Sequence, residues 1–164
     1  MTSVQADADE PAWRHGHAHE PNPAPPHADP TFVCCLPDGR TLTLTPDDLA
    51  RLPQTSVAGC VIASTGHPPS GPFTFGGVRL VDLLHAHGIN ESSDWAFVDV
   101  VSDDGFGTRV DARETQTATH PILLATTLDG APLRRDQGLV RLIVPGETDD
   151  ALRQVKWVSR VEVH

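Results

Sequence analysis

From Thr31 onward the chain is a succession of short apolar runs separated by turn signals. Residues 31–36 (TFVCCL) read as a strand. The Pro37-Asp38-Gly39 that follows is a turn with a mechanism, since proline presets φ and glycine permits a positive φ. Residues 41–44 (TLTL) alternate with period two, which predicts a strand folding back as a hairpin. Thr45-Pro46-Asp47-Asp48 has the form of a helix start: a Thr cap, proline at the first position and acids against the dipole. That helix is expected to end before Pro53, and residues 55–62 to form a strand. Residues 63–77, rich in Gly, Pro, Ser and Thr, read as a long loop, and such a loop inside a small domain points to function. The run at 78–88 predicts a two-turn helix with Leu80, Leu83 and Leu84 on one face and Gly88 as its stop.

The second half continues the pattern. Residues 95–102 predict a strand, 103–107 a turn, and a further strand through Val110 completes a hairpin before a helical turn at 112–117. Residues 121–128 (PILLATTL) are apolar enough for a central strand, followed by a turn at Asp129-Gly130. Strands are expected at 138–146 and at 155–163. In the latter Val155, Trp157, Val161 and Val163 face the core, through a bend between Trp157 and Val161. About eight short strands with two or three short helices make an α+β domain that is mostly β.

Composition adds a boundary. Residues 1–30 contain six prolines, four histidines and five acids, with little to bury, and are expected to form a disordered tail before a domain at 31–164. The formal charge of −10 is spread over both parts, which argues against a nucleic-acid partner. No apolar run is long enough to span a bilayer, and residues 1–13 lack the basic and apolar regions of a secretory signal, so the expected location is cytoplasmic.

Three cysteines, Cys34, Cys35 and Cys60, do not suggest a disulfide framework. Cys34 and Cys35 are expected on opposite faces of one strand. Alternating His15, His17 and His19 with Glu20 read either as a weak site for zinc, copper or nickel or as a solvated tail. The pairs Asp47-Asp48, Asp103-Asp104 and Asp149-Asp150 fall in caps and turns, where acids serve structure. His85 and His87 sit in a last helical turn, and His120 before Pro121 ends a turn. No Walker loop, dinucleotide fingerprint or nucleophile elbow is present.

Four stretches carry a resemblance: GVRLVDLL (77–84), PILLATTLDGAPLRRDQG (121–138), RLIVPG (141–146) and VKWVSRVEV (155–163). Their order and spacing resemble the oxidoreductase molybdopterin-binding domain of the sulfite oxidase family, over about residues 42–163, with most of the specificity in the C-terminal third. The resemblance implies a mostly β sulfite-oxidase-type fold with short helices, holding a pyranopterin and its molybdenum. It places Arg141 and Lys156 against the cofactor's phosphate, with Gln154 and Val155 approaching through the backbone. Arg offers a planar fork to phosphate oxygens and Lys a point charge. The chain has 11 Arg and one Lys, and that Lys falls in the family's lysine-tryptophan motif; the bland alternative is a surface lysine beside a buried Trp157.

The match departs from the family at several points. Cys60 is the candidate for the family's metal-binding thiolate, although it falls inside the expected strand, and it also reads as a small buried hydrophobe. Gln137 stands where the family has histidine, the segment from Asp136 to Arg141 is one residue short, and no histidine-arginine pair precedes Cys60. His67 in the Gly/Pro-rich segment reads as a cofactor contact or as an exposed residue. The family's second, dimerising domain and the haem domain of some relatives have no counterpart in the 164 residues. Two functions therefore stand open. One is a molybdopterin-dependent oxidoreductase acting by oxygen-atom transfer on a small oxyanion or sulfoxide, with Cys60 on the metal and Gln137, Arg141 and Lys156 on the phosphate. The other is a non-catalytic relative that has lost the metal and binds a ligand or partner.

Overall fold

A computed structural model describes residues 29–64, 67–90, 95–117, 121–145 and 154–164; the proline- and histidine-rich tail, apart from Asp29 and Pro30, lies outside these, as do His120 and the Asp149-Asp150 pair. Ten strands and three short helices follow in chain order: β1 Phe32–Cys35, β2 Thr41–Leu44, α1 Pro46–Ala50, β3 Thr55–Ser64, β4 His67–Arg79, α2 Leu80–Ala86, β5 Phe97–Ser102, β6 Gly107–Asp111, α3 Ala112–Thr117, β7 Leu123–Leu128, β8 Ala131–Pro132, β9 Arg141–Ile143 and β10 Val158–Val163. A 3-10 turn, Arg135–Gln137, precedes β9.

The strands form two five-stranded sheets. The first has the order β2-β1-β10-β5-β6, with β1 and β10 parallel. The second runs β3-β4-β7-β8, with β9 also paired to β7. Between the sheets lies the main core. It takes Phe32, Cys34, Val98, Val100, Val161 and Val163 from the first sheet, Val78, Leu124 and Leu142 from the second, and Leu80, Leu83 and Leu84 from α2. Each such leucine contributes roughly 1.5–3 kcal/mol by leaving water. A second, smaller cluster covers the far face of the second sheet: Val57, Cys60, Phe75, Leu123, Ala125, Leu133 and Ile143. Strand β7 therefore buries both faces, Leu124 inward and Leu123 and Ala125 outward, which is why residues 121–128 are apolar without alternation.

Local chemistry accounts for the elements the sequence announces. The Thr45 hydroxyl accepts from the Asp48 N–H, and the Asp48 carboxylate accepts from the Thr45 N–H, closing a capping box on α1. Gly39 and Gly88 take positive φ where the turn and the helix stop require it. Cys34 is buried while Cys35 is half-buried, as strand alternation demands. In the turn after β5, Asp104 accepts from the Ser102 hydroxyl and the Phe106 N–H.

Two segments differ from expectation. The long loop expected over 63–77 is replaced by paired strands on both sides of 65–66: β3 through Ser64 and β4 from His67 pair antiparallel, with register shifts between Val57, Cys60, Ile62 and Ser64. Prolines at 68, 69 and 72 cannot donate to a ladder, and a ribbon broken by bulges tolerates them. The strand expected at 138–146 is only Arg141–Ile143. Gly138 and Leu139 adopt φ of 112° and 56°, which no strand accommodates.

At Gly77 the β4 backbone approaches β7 so closely that an added Cβ would lie 2.1 Å from the Leu124 carbonyl oxygen and 2.8 Å from the Ala125 Cα. Gly77→Ala is expected to destabilise the domain by about 3 kcal/mol, because two central strands must separate. Thr45→Ala, which removes only a cap, is expected to cost about 1 kcal/mol. Urea unfolding of both variants checks the ranking, and equal losses would contradict it.

Candidate functional site

Strand alternation places Arg141 on the outward face of the second sheet. It registers with Ala125 of β7, whose side chain belongs to the outer cluster, while the next residue, Leu142, enters the main core. The guanidinium lies over the Phe75 ring at 5.3 Å, and Phe75 belongs to the same outer cluster as Cys60. Arg141 is 7% exposed. Its Nη2 donates to Gln154 Oε1 at 3.0 Å, and its Nη1 to the Gln137 carbonyl at 3.5 Å.

The segment carrying Lys156 is tied alongside. Val155 exchanges both backbone hydrogen bonds with Leu142 and buries its side chain in the main core. Trp157 donates its backbone N–H to the Gly138 carbonyl and its indole Nε1 to the Arg135 carbonyl at 2.6 Å. To make these bonds the backbone turns through a left-handed Trp157, φ 52°, so the strand expected over 155–163 is shortened to Val158–Val163; the expected change of face between Trp157 and Val161 coincides with a register shift between Val158 and Arg160. Gly138 is needed here, because a Cβ would meet the Lys156 Cβ and Cγ at 3.0 Å. The lysine stem thus packs on bare backbone, and its Nζ lies 5.7 Å from the Trp157 ring centre.

The result is two cations side by side. Burial, and then the neighbouring Arg141 charge, pull the Lys156 ammonium below its ordinary value, and Asp136 offsets this in part. Asp136 itself is engaged by Arg134. Desolvated like charges are costly alone and favour a shared anion. The donor set suits a phosphate: a planar fork, an ammonium and the buried Gln154 amide.

The remaining predicted residues are spread around this centre. Gln137 uses its side-chain oxygen to accept from the Arg134 N–H, at 2.9 Å, and so caps the 3-10 turn. Cys60 is 8% exposed on β3, with its Sγ 3.6 Å from the Val57 carbonyl oxygen. It shares its sheet face with Arg141, but the order β3-β4-β7-β9 puts three strand spacings between them, roughly 14 Å across the sheet. A ligand reaching both must be elongated. His67 begins β4, and its side chain lies outside the described residues. His85 and His87 close α2, away from this cluster in the fold. The sequence reading missed Phe75 under the guanidinium and Gly138 under the lysine. The only signal for either was placement, since aromatic and glycine residues at such positions usually serve packing and turns.

Comparisons with known proteins bear on the family and the fold. The family profile described as the oxidoreductase molybdopterin binding domain matches residues 33–164. The mitochondrial sulfite oxidase of Mus musculus is 28% identical over 176 residues, covering 92% of this chain and 32% of that protein. The human mitochondrial enzyme is 26% identical over 167 residues, covering 84% of this chain and 30% of that protein. The chain thus spans about a third of the length of these relatives. The sulfane dehydrogenase SoxCD from Paracoccus pantotrophus superposes with a TM-score of 0.65 at 22% identity, over 82% of this chain and 38% of its own, which shows a shared fold. With the profile covering both sheets, Arg141 at the start of β9 and Lys156 ahead of β10, the chain belongs to the oxidoreductase molybdopterin-binding domain family.

Proposed function

We propose that the domain holds molybdopterin by its phosphate end and serves an oxygen-atom-transfer oxidoreductase acting on a small oxyanion or sulfoxide. The observation that carries this reading is the desolvated pair Arg141 and Lys156, set on a glycine and backed by Gln154. When bound, the molybdenum cofactor supplies the two-electron chemistry. Arg141 presents its fork to phosphate oxygens, Lys156 adds a point charge, and Gln154 fixes the guanidinium plane. Gln137 keeps its side-chain amide nitrogen as a donor, since its cap uses the oxygen. Cys60 is the thiol on the same sheet face, and as a thiolate it would be the residue to hold the metal.

A second reading has its own observation. Cys60 is packed among Val57, Phe73 and Phe75, with its Sγ against a backbone carbonyl. That environment suits a small buried hydrophobe. On this reading the domain keeps an anion site and has lost the metal, and it acts as a ligand- or partner-binding module.

Elemental analysis and pterin fluorescence of protein from a host that makes the cofactor separate the two. The first reading expects near-stoichiometric molybdenum and pterin in the parent. Cys60→Ser should lose molybdenum, and Lys156→Met should retain at least about ten-fold less pterin, since an ion pair to phosphate is removed. A folded parent carrying neither molybdenum nor pterin leaves only the binding module.

The cation pair also has a signature in the ligand-free protein. The folded-state pKa of Lys156 lies below its unfolded value, so its charged form opposes folding. That penalty is complete below the folded pKa and disappears as pH rises through the unfolded value. Lys156→Met is therefore expected to be at least as stable as the parent at neutral pH, with the difference shrinking in alkaline solution. Thermal unfolding across that range checks the sign, and a gap that widens with pH would contradict it.

A further inference from the structure

On the outer face of the first sheet, neighbouring strands bring three metal-binding side chains together. Glu162 of β10 registers directly with Asp99 of β5, and His164 follows Glu162 by two residues, on the same face. The His164 Nε2 lies 3.3 Å from Glu162 Oε2 and 3.8 Å from Asp99 Oδ2, and all three donor atoms fall within 4.8 Å of one another. A tetrahedral ion with bonds of about 2.1 Å needs donors about 3.4 Å apart. These separations already approach the triangular face such an ion requires.

Each donor is also held in place. Arg109 of β6 grips Asp99 with both arms, Nε on Oδ1 at 2.7 Å and a terminal nitrogen on Oδ2 at 2.9 Å. Arg160 pairs with Glu162 Oε1 and turns Oε2 toward the histidine. The imidazole stacks on Phe97 with ring centres 5.0 Å apart, and the Arg109 guanidinium lies 3.7 Å from the centre of the same Phe97 ring. The backbone of His164 is bonded to Ala96 and Phe97. A carboxylate oxygen has two lone-pair directions, so a cation that bonds one leaves the other for a metal. Outer partners of this kind orient ligands rather than replace them. Asp99 is buried and the His164 side chain is 48% exposed, so the triangle opens to solvent on one side.

We propose that Asp99, Glu162 and His164 form a surface site for a divalent transition-metal ion of the zinc class. One imidazole and two carboxylates match borderline ions, and the open side leaves room for water or a ligand from a partner. The site is separate from the Arg141–Lys156 centre, which belongs to the other sheet. Without the ion, the same side chains make an ion-pair network between three strands.

The full chain, stripped with chelator, is titrated calorimetrically with Zn²⁺ beside His164→Ala, Glu162→Gln and a variant with His15, His17 and His19 all replaced by alanine. The parent and the tail variant are expected to share one equivalent that the other two lose or bind at least about ten-fold more weakly. Co²⁺ added to the parent should broaden the backbone amide signals of residues 97–99 and 162–164, which locates the ion even if a variant unfolds. Unchanged binding in folded His164→Ala and Glu162→Gln, or broadening confined to residues 15–19, would overturn the site.

Discussion

The structure depends on one strand being buried on both faces. Strand β7 lies between β4 and β9, with Leu124 in the main core and Leu123 and Ala125 in the outer cluster. Because side chains alternate with period two, its register assigns a face to every neighbour. Arg141 registers with Ala125, so it faces outward over Phe75, and Leu142 fills the core. A slip of one residue would exchange them, burying a charge between the sheets and exposing a leucine. Gly77 is part of the same constraint, since only a residue without Cβ lets β4 lie so close to β7.

Given that register, the cation pair follows from backbone geometry. Gly138, Leu139 and Trp157 take positive φ, and these turns carry the chain past β9 twice, so that Lys156 packs on Gly138 beside Arg141. The domain thereby holds two neighbouring cations partly out of water, a strained arrangement for a chain whose net charge is −10. Perturbed groups of this kind concentrate at functional sites, which is why the proposed function rests on this pair. The opposite sheet shows the contrasting case. There Asp99 and Arg109 neutralise each other through a two-pronged pair, and the neighbouring Glu162 and His164 are ordered around it.

Much of the fold was legible locally. Caps, turns and the leucine face of α2 depend on neighbours a few residues away, and the sequence reading placed them where the structure has them. Where proline and glycine suggested a loop, residues up to Ser64 and from His67 pair as a bulged ribbon instead. That pairing is long-range, and a ladder interrupted by register shifts has no strict alternation to read. The shortening of the strand at 138–146 has a related cause, since the carbonyls of Gly138 and Val140, on either side of the left-handed Leu139, accept from the distant Trp157 and Val158. The tail expected at 1–30 falls almost wholly outside the described residues.

By itself, the sequence determined the class of the domain, most of its strands along the chain and the family, because each rests on patterning, turn chemistry and motif order along the chain. Only the tertiary structure decided which candidates share a place. It joined Arg141, Gln154 and Lys156 in one cluster, gave Gln137 a cap to make, and set Cys60 on the same sheet face three strands away. It also brought Asp99, Glu162 and His164 together, where the sequence showed only scattered acids and a last histidine. The physical reason is the same throughout: spacing along the chain sets the face a side chain takes, but the pairing of distant strands sets its neighbours.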